Sequence, residues 1–284
     1  MSNIKPNSII TLLNSPEDMQ VLLDTSIWVA SRLKSAIGLL YSKPSHHRKQ
    51  AVDYSGCLTP DNEEHLLKEF ANEEHMANLT HKTEGKNLLA KAQIYCAEHF
   101  CKQSTYPLQR QCSINENLDY IDDKAELIIT GRQLTCETTL ANIVRHSHCP
   151  ILVTHSTFKT PESALLAFDN KETCHRLVEW VSKSPLTRNM CIHIVMVGEK
   201  NTQNNDAIRE AYAKLTQAGI KCKKKLLDCR DVTAALLYYQ KENNLDMLMS
   251  GAFGQSRLRE WLQGSNTEKL LKIHQTPYLL LPKR

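Results

Sequence analysis

Short apolar runs alternate with longer segments of helical period along the whole chain, and that alternation appears twice. The first half opens with SIITLLN (residues 8–14), continues through an amphipathic stretch, and reaches IGLLYS (residues 37–42). The second half has SALLAFD (163–169), CHRLVEWVSK and CIHIVMVGE (191–199) in the same succession. Each reads as strand, helix, strand, the βαβ unit of a parallel sheet. Ser8 and Ser163 begin the matching first runs, and Asn14 and Asp169 end them, at an offset of 155.

The two copies also close alike. AELIITG, ending at Gly131, parallels LDMLMSG, ending at Gly251; after each comes a proline leading an apolar run, CPILV at Pro150 and TPYLLL at Pro277. The second copy further predicts a helix over 206–218, a strand near 220–228 and a helix near 231–243. Strands alternating with helices imply a parallel sheet covered on both faces. Two α/β domains, residues 1–156 and 157–284, joined near residues 156–162, are the economical organisation.

The copies differ in spacing. Asn14 to Gly131 spans 117 residues where Asp169 to Gly251 spans 82, so the first copy carries about 35 extra. The polar tract within 59–103 accommodates them as a long solvated helical extension. In the other direction, Gly131 to Pro150 is 19 residues and Gly251 to Pro277 is 26. The first copy is therefore seven residues short where the second runs SGAFGQSRLREWLQGSNTEKLL.

That run holds three of the chain's nine glycines, Gly251, Gly254 and Gly264. It lies where open α/β sheets bind ligands, beyond the carboxyl ends of strands. Gly251 and Gly254 are expected to let backbone amides approach an anion with no Cβ in the way. Ser265 and Glu268 have capping-box spacing, which would turn a helix N-terminus toward the same ligand. Neither a phosphate-loop motif ending in Lys-Ser/Thr nor a dinucleotide Gly-x-Gly-x-x-Gly is present.

The ordered set Gly251-x2-Gly254-x9-Gly264-Ser265 resembles the ATP-binding signature of the universal stress protein family. ALLAFDNKETCHRLVEWV resembles that family's opening strand, acidic residue and first helix. The likeness is specific in 163–284 and looser in 8–155, where it rests on element order, ELIITG and CPILV. It implies two tandem Rossmann-like domains of the adenine nucleotide α-hydrolase type, each a five-stranded parallel sheet flanked by helices. It also implies ATP, alone or with Mg2+, as ligand, and stress response as the biological setting. Asp169 would sit beside adenine and ribose, and Val197 would offer backbone contacts to the base. Gly251, Gly254, Gln255, Gly264 and Ser265 would hold ribose and phosphates, with Asn266 and Thr267 adding contacts. Phe253 stands where many relatives have histidine, and Asn170 where glycine commonly follows the aspartate. The first copy, with Asn14 for the acid and no later glycines, reads as a degenerate partner domain. The family's pairing through final strands implies an internal pseudo-dimer built on Ile151–Thr154 and Tyr278–Leu281, with a further homodimer compatible.

Composition narrows the alternatives. A net charge of +4 is too mild to demand nucleic acid or an acidic membrane. Lys221, Lys223, Lys224 and Lys225 lie along one strand and read as a solvated edge rather than a nucleic-acid surface. The apolar runs are too short to span a bilayer, and MSNIKPNSII lacks the features of a secretion signal. The expected compartment is the cytoplasm. Ten cysteines contain no Cys-x-x-Cys pair, so reduced, partly buried thiols are expected. Cys96, His99 and Cys101 form the tightest group but lack a fourth metal ligand. His65, His75 and His81 lie in a solvated stretch. A regulatory or protective nucleotide-binding protein is the favoured function. A slow ATP hydrolase and an interaction module without nucleotide are the alternatives.

Overall fold

The computed structural model describes residues 4–42 except Asn14, the helix backbone over 60–99, most of 103–131, a few of 140–146, then 147–251 and 276–282. Within helix 60–99, side chains are described from His75 onward, except Ala77.

The first half contributes β1 (Ser8–Leu12), α1 (Met19–Leu33), β2 (Ile37–Ser42), α2 (Pro60–His99), β3 (Thr105–Arg110), α3 (Ile114–Ile121), β4 (Ala125–Thr130) and β5 (Ile151–Val153). The second contributes β6 (Ser163–Phe168), α4 (Glu172–Lys183), β7 (Cys191–Val197), α5 (Thr202–Gln217), β8 (Lys221–Leu227), α6 (Val232–Glu242), β9 (Met247–Gly251) and β10 (Tyr278–Leu281). A short 3-10 turn, Pro185–Thr187, follows α4. α5 begins four residues ahead of the expected position because Asn201 caps it, its side chain accepting from the Asn204 amide at 2.8 Å. Asp231 caps α6 likewise, accepting from the Ala234 amide at 2.9 Å.

All ten strands join one sheet in the order β3-β2-β1-β4-β5-β10-β9-β6-β7-β8. Read from each outer edge inward, both halves follow the same order, third, second, first, fourth, fifth. The internal repeat is thus a repeat of topology. Every neighbouring pair is parallel except β5 and β10, which run antiparallel with Leu279 opposite Leu152 and Leu280 opposite Ile151. The two expected five-stranded sheets are therefore continuous, joined by the two strands that follow Pro150 and Pro277. Because the join is antiparallel, the carboxyl ends of the strands face one way in the first half and the opposite way in the second.

Strand pleating sends successive side chains to opposite faces. In the first half, Ile9, Leu127, Ile129 and Leu152 pack with Leu22, Leu23 and Val29 of α1 and with Leu88, Leu89, Ala92 and Cys96 of α2. On the other face Ile10, Ile128, Ile151 and Val153 pack with Leu118 and Ile121 of α3. Leu280 of the second half is buried in this cluster and Tyr278 packs against it, while Leu279 and Leu281 enter the first.

The extra residues of the first half lengthen one crossover helix. α2 has 40 residues where its counterpart α5 has 16. At 1.5 Å per residue, α2 is about 60 Å long. Among its described side chains the large core-facing ones fall in the last third, from Leu88 to Cys96, and upstream His75 and Met76 are exposed. It packs on α1, β2 and β3, on the far side of the half from the β5–β10 join.

The connection into the second half is tied down by one carboxylate. Asp246, the residue before β9, accepts from Lys159 Nζ (3.1 Å), the Glu162 and Ser163 amides (3.1 Å each) and Ser163 Oγ (2.9 Å). Burial acts to raise the Asp246 pKa, but the hydrogen bonds from Lys159, Ser163 and Glu162 outweigh it, and the pKa is lowered.

Candidate functional site

In the second half the chain runs from β6 outward to β7 and β8, then crosses back to β9 on the other side of β6. The order reverses between β6 and β9, and such a switch point leaves a crevice beyond the carboxyl ends of the strands. Ala167 of β6 is level with Ser250 of β9, and Phe168 is level with Met196 of β7. Asp169, Val197 and Gly251, one residue further along each strand, therefore share one rim of three adjacent strands.

Asp169 ends the β6 run, and the chain turns at Asn170 in a left-handed conformation, φ 57°. Asparagine is the non-glycine residue best suited to that region, which accounts for its standing where a glycine commonly follows the acid. Asn170 Oδ1 is further held 2.9 Å from His175 Nε2, and the His175 ring meets Phe168 edge-on at 5.2 Å. The turn leaves the Asp169 carboxylate with unequal oxygens. Oδ1 accepts from the Lys171 amide at 3.2 Å. Oδ2 is buried and has no hydrogen-bond partner among the described residues, its counter-charge being Lys171 Nζ at 3.7 Å. A buried carboxylate oxygen without a donor is costly, so this atom is poised to accept from a ligand.

Below the rim the chemistry is closed. Burial, then the Asp169 charge, pushes the Cys174 thiol up to about 12, and its Sγ lies 3.6 Å from the Ala167 carbonyl. The Tyr278 hydroxyl is 2.6 Å from Ser250 Oγ, and burial raises its pKa. Both groups stay protonated at neutral pH and act as packing.

Gly251 has a different steric task from the one its position in the loop suggests. A Cβ built there would lie 2.9 Å from the Thr173 carbonyl carbon and 3.0 Å from Thr173 Cβ and Oγ1. The vacant side-chain space is filled by the first turn of α4, so glycine here serves the close approach of helix and strand. Thr173 carries no feature that marked it in the sequence. Its signal is positional: it stands ten residues after Ser163, as Asp18 stands ten after Ser8.

Gly254, Gln255, Gly264, Ser265, Asn266 and Thr267 lie outside the described residues, as do Asn14, Phe253, Glu268 and Cys101. Of the other singled-out groups, Cys96 is buried in the core and its thiol is pushed up to about 11, first by burial and then by Asp24. His99 stacks on Tyr95 at 4.3 Å. Among the described residues no three His, Cys, Asp or Glu side chains form a group that could hold a metal ion. Lys221, Lys223, Lys224 and Lys225 are exposed on β8, the outermost strand of the second half, where they line a sheet edge. No helix among the described residues is long and apolar enough to cross a membrane.

No protein-family model matches the chain. A universal stress protein of Synechocystis sp. is 29% identical over 272 residues, covering 89% of this chain and 91% of its own. The crystal structure of a universal stress protein from Archaeoglobus fulgidus superposes with a TM-score of 0.67 at 14% identity, covering 98% of this chain and 97% of that one. A functionally unknown protein from Pseudomonas aeruginosa gives a TM-score of 0.54 at 15% identity, covering 98% and 92%.

Proposed function

The chain resembles the universal stress proteins, in sequence over most of its length and in fold over nearly all of it, and from that premise we propose that its second half binds an adenine nucleotide in a regulatory or protective stress response. The observation that carries this reading is Asp169 Oδ2, buried without a donor at the switch point between β6 and β9. Ribose offers two hydroxyl donors of the kind this oxygen lacks. Val197 ends the neighbouring strand and would offer its backbone to a base edge. Gly251 leads into the run in which Gly254, Gln255, Gly264, Ser265, Asn266 and Thr267 would hold ribose and phosphates. ATP is the expected ligand. It would act by favouring one conformation or partner surface, since a ligand shifts an equilibrium only through differential affinity.

In the same reading the halves, 1–156 and 157–284, are two domains paired as an internal pseudo-dimer. The mirrored strand order and the antiparallel β5–β10 contact support that arrangement. The seven-residue deficit in the first half supports a single nucleotide site, in the second half.

Calorimetric titration tests the assignment. ATP should bind at one site per chain. Asp169→Ala should weaken adenosine and ATP alike by about tenfold or more, the scale of a lost hydrogen bond to a charged group. Two equal sites per chain, or unchanged affinity in the variant, would overturn it.

A further inference from the structure

The two halves carry the same glycine at the carboxyl end of the strand beside their first strand, and in each a side chain from the start of the first helix covers it. In the second half the cover over Gly251 is Thr173, with backbone and side-chain atoms 2.9–3.0 Å from the position a Cβ would take. In the first half the cover over Gly131 is Asp18, with Oδ2 at 3.0 Å and Cβ at 3.4 Å. β1 pairs with β4 as β6 pairs with β9, so the positions are topologically equivalent. The exchange is therefore one of charge: a neutral hydroxyl in one half, a carboxylate in the other.

We propose that this position decides which half admits a phosphorylated ligand, Thr173 leaving the second-half rim open to an anion and Asp18 closing the first-half rim to it. The proposal rests on the nucleotide reading above and deepens it. Helix starts attract anions through unpaired amides and the helix dipole. Asp18 is the N-cap of α1, and its side chain makes no capping hydrogen bond. Its charge thus stands at the helix entrance uncompensated by a cap, where an incoming phosphate would meet repulsion at close range in partly buried surroundings. Thr173 is 8% exposed and brings no charge to the same place.

The test titrates the full-length protein and its variants Thr173→Asp and Thr173→Asn with adenosine and with ATP. Thr173→Asp should bind adenosine within about twofold of the parent and lose at least about tenfold in ATP affinity, because only ATP brings phosphates to the carboxylate. Thr173→Asn, of the same size and neutral, should keep ATP within about threefold. Raising the salt concentration should shrink the Thr173→Asp deficit. Equal loss of adenosine and ATP in Thr173→Asp, equal loss of ATP in both variants, or unchanged ATP binding in Thr173→Asp would each overturn the proposal. A parent protein that binds neither ligand would overturn the nucleotide reading together with it.

Discussion

Gly251 shows how a residue can carry a steric task that its spacing in the sequence does not display. The sequence places it at the end of a strand and the head of a glycine-bearing run, and both placements hold. What a missing Cβ makes room for depends on what faces it in space, and a spacing pattern carries no such information. The same holds for Asp169, whose identity is plain in the sequence but whose unequal oxygens arise from the turn at Asn170. The packing account has a measurable consequence. Gly251→Ala should destabilise the fold by about 1–3 kcal/mol in urea unfolding, since the new methyl meets the α4 backbone, which cannot move aside cheaply. Gly131→Ala should cost less, because its nearest atoms belong to the Asp18 side chain, which can rotate away. Equal costs at the two sites would refute the difference in what they face.

Eight of the ten strands are apolar runs that the sequence displays openly, and their burial explains why. The exceptions are the two edge strands, β8, KCKKKLL, with its exposed lysines, and β3, TYPLQR, with mixed exposure and Pro107 in its middle. Edge position is what permits the proline and what blurs the pattern. The helix after it, α3, was obscured for a related reason: it is only eight residues long and sits in the tract where the two copies cease to align. The final strands were readable as a matched pair because each follows a proline and is strongly apolar, and their pairing accounts for that character. At this scale Leu280 is the informative probe. It is fully buried and carries β10 into a cluster otherwise formed by the first half. Leu280→Ala should cost about 2–5 kcal/mol, the usual range for a buried leucine. A loss below about 1 kcal/mol in denaturant melts would show that the join is loosely packed.

Over the whole molecule, one sheet that does not close on itself leaves two outer edges open to pairing with another chain. The edges are protected by different chemistry: Pro107 interrupts donation along β3, and exposed lysines line β8. Replacing Lys223 and Lys225 together with valine should produce concentration-dependent association in sedimentation velocity; a variant that stays at the parent's assembly state across the concentration range would refute a protective role for the charges. Net charge and composition hinted at a mild, soluble surface, but which lysines guard an edge became visible only with the strand order. At a strand spacing of about 4.8 Å, ten strands make a sheet about 45 Å wide. The antiparallel weld at its centre gives that width a practical meaning. The protein is a two-sided bracket: a molecule gripped at one rim approaches from the opposite direction to a molecule gripped at the other. Two visitors could therefore be held at once without colliding, and any message between them would pass through the middle of the sheet, where the β5–β10 ladder, the linking segment and an apolar core shared by both halves fasten the bracket together.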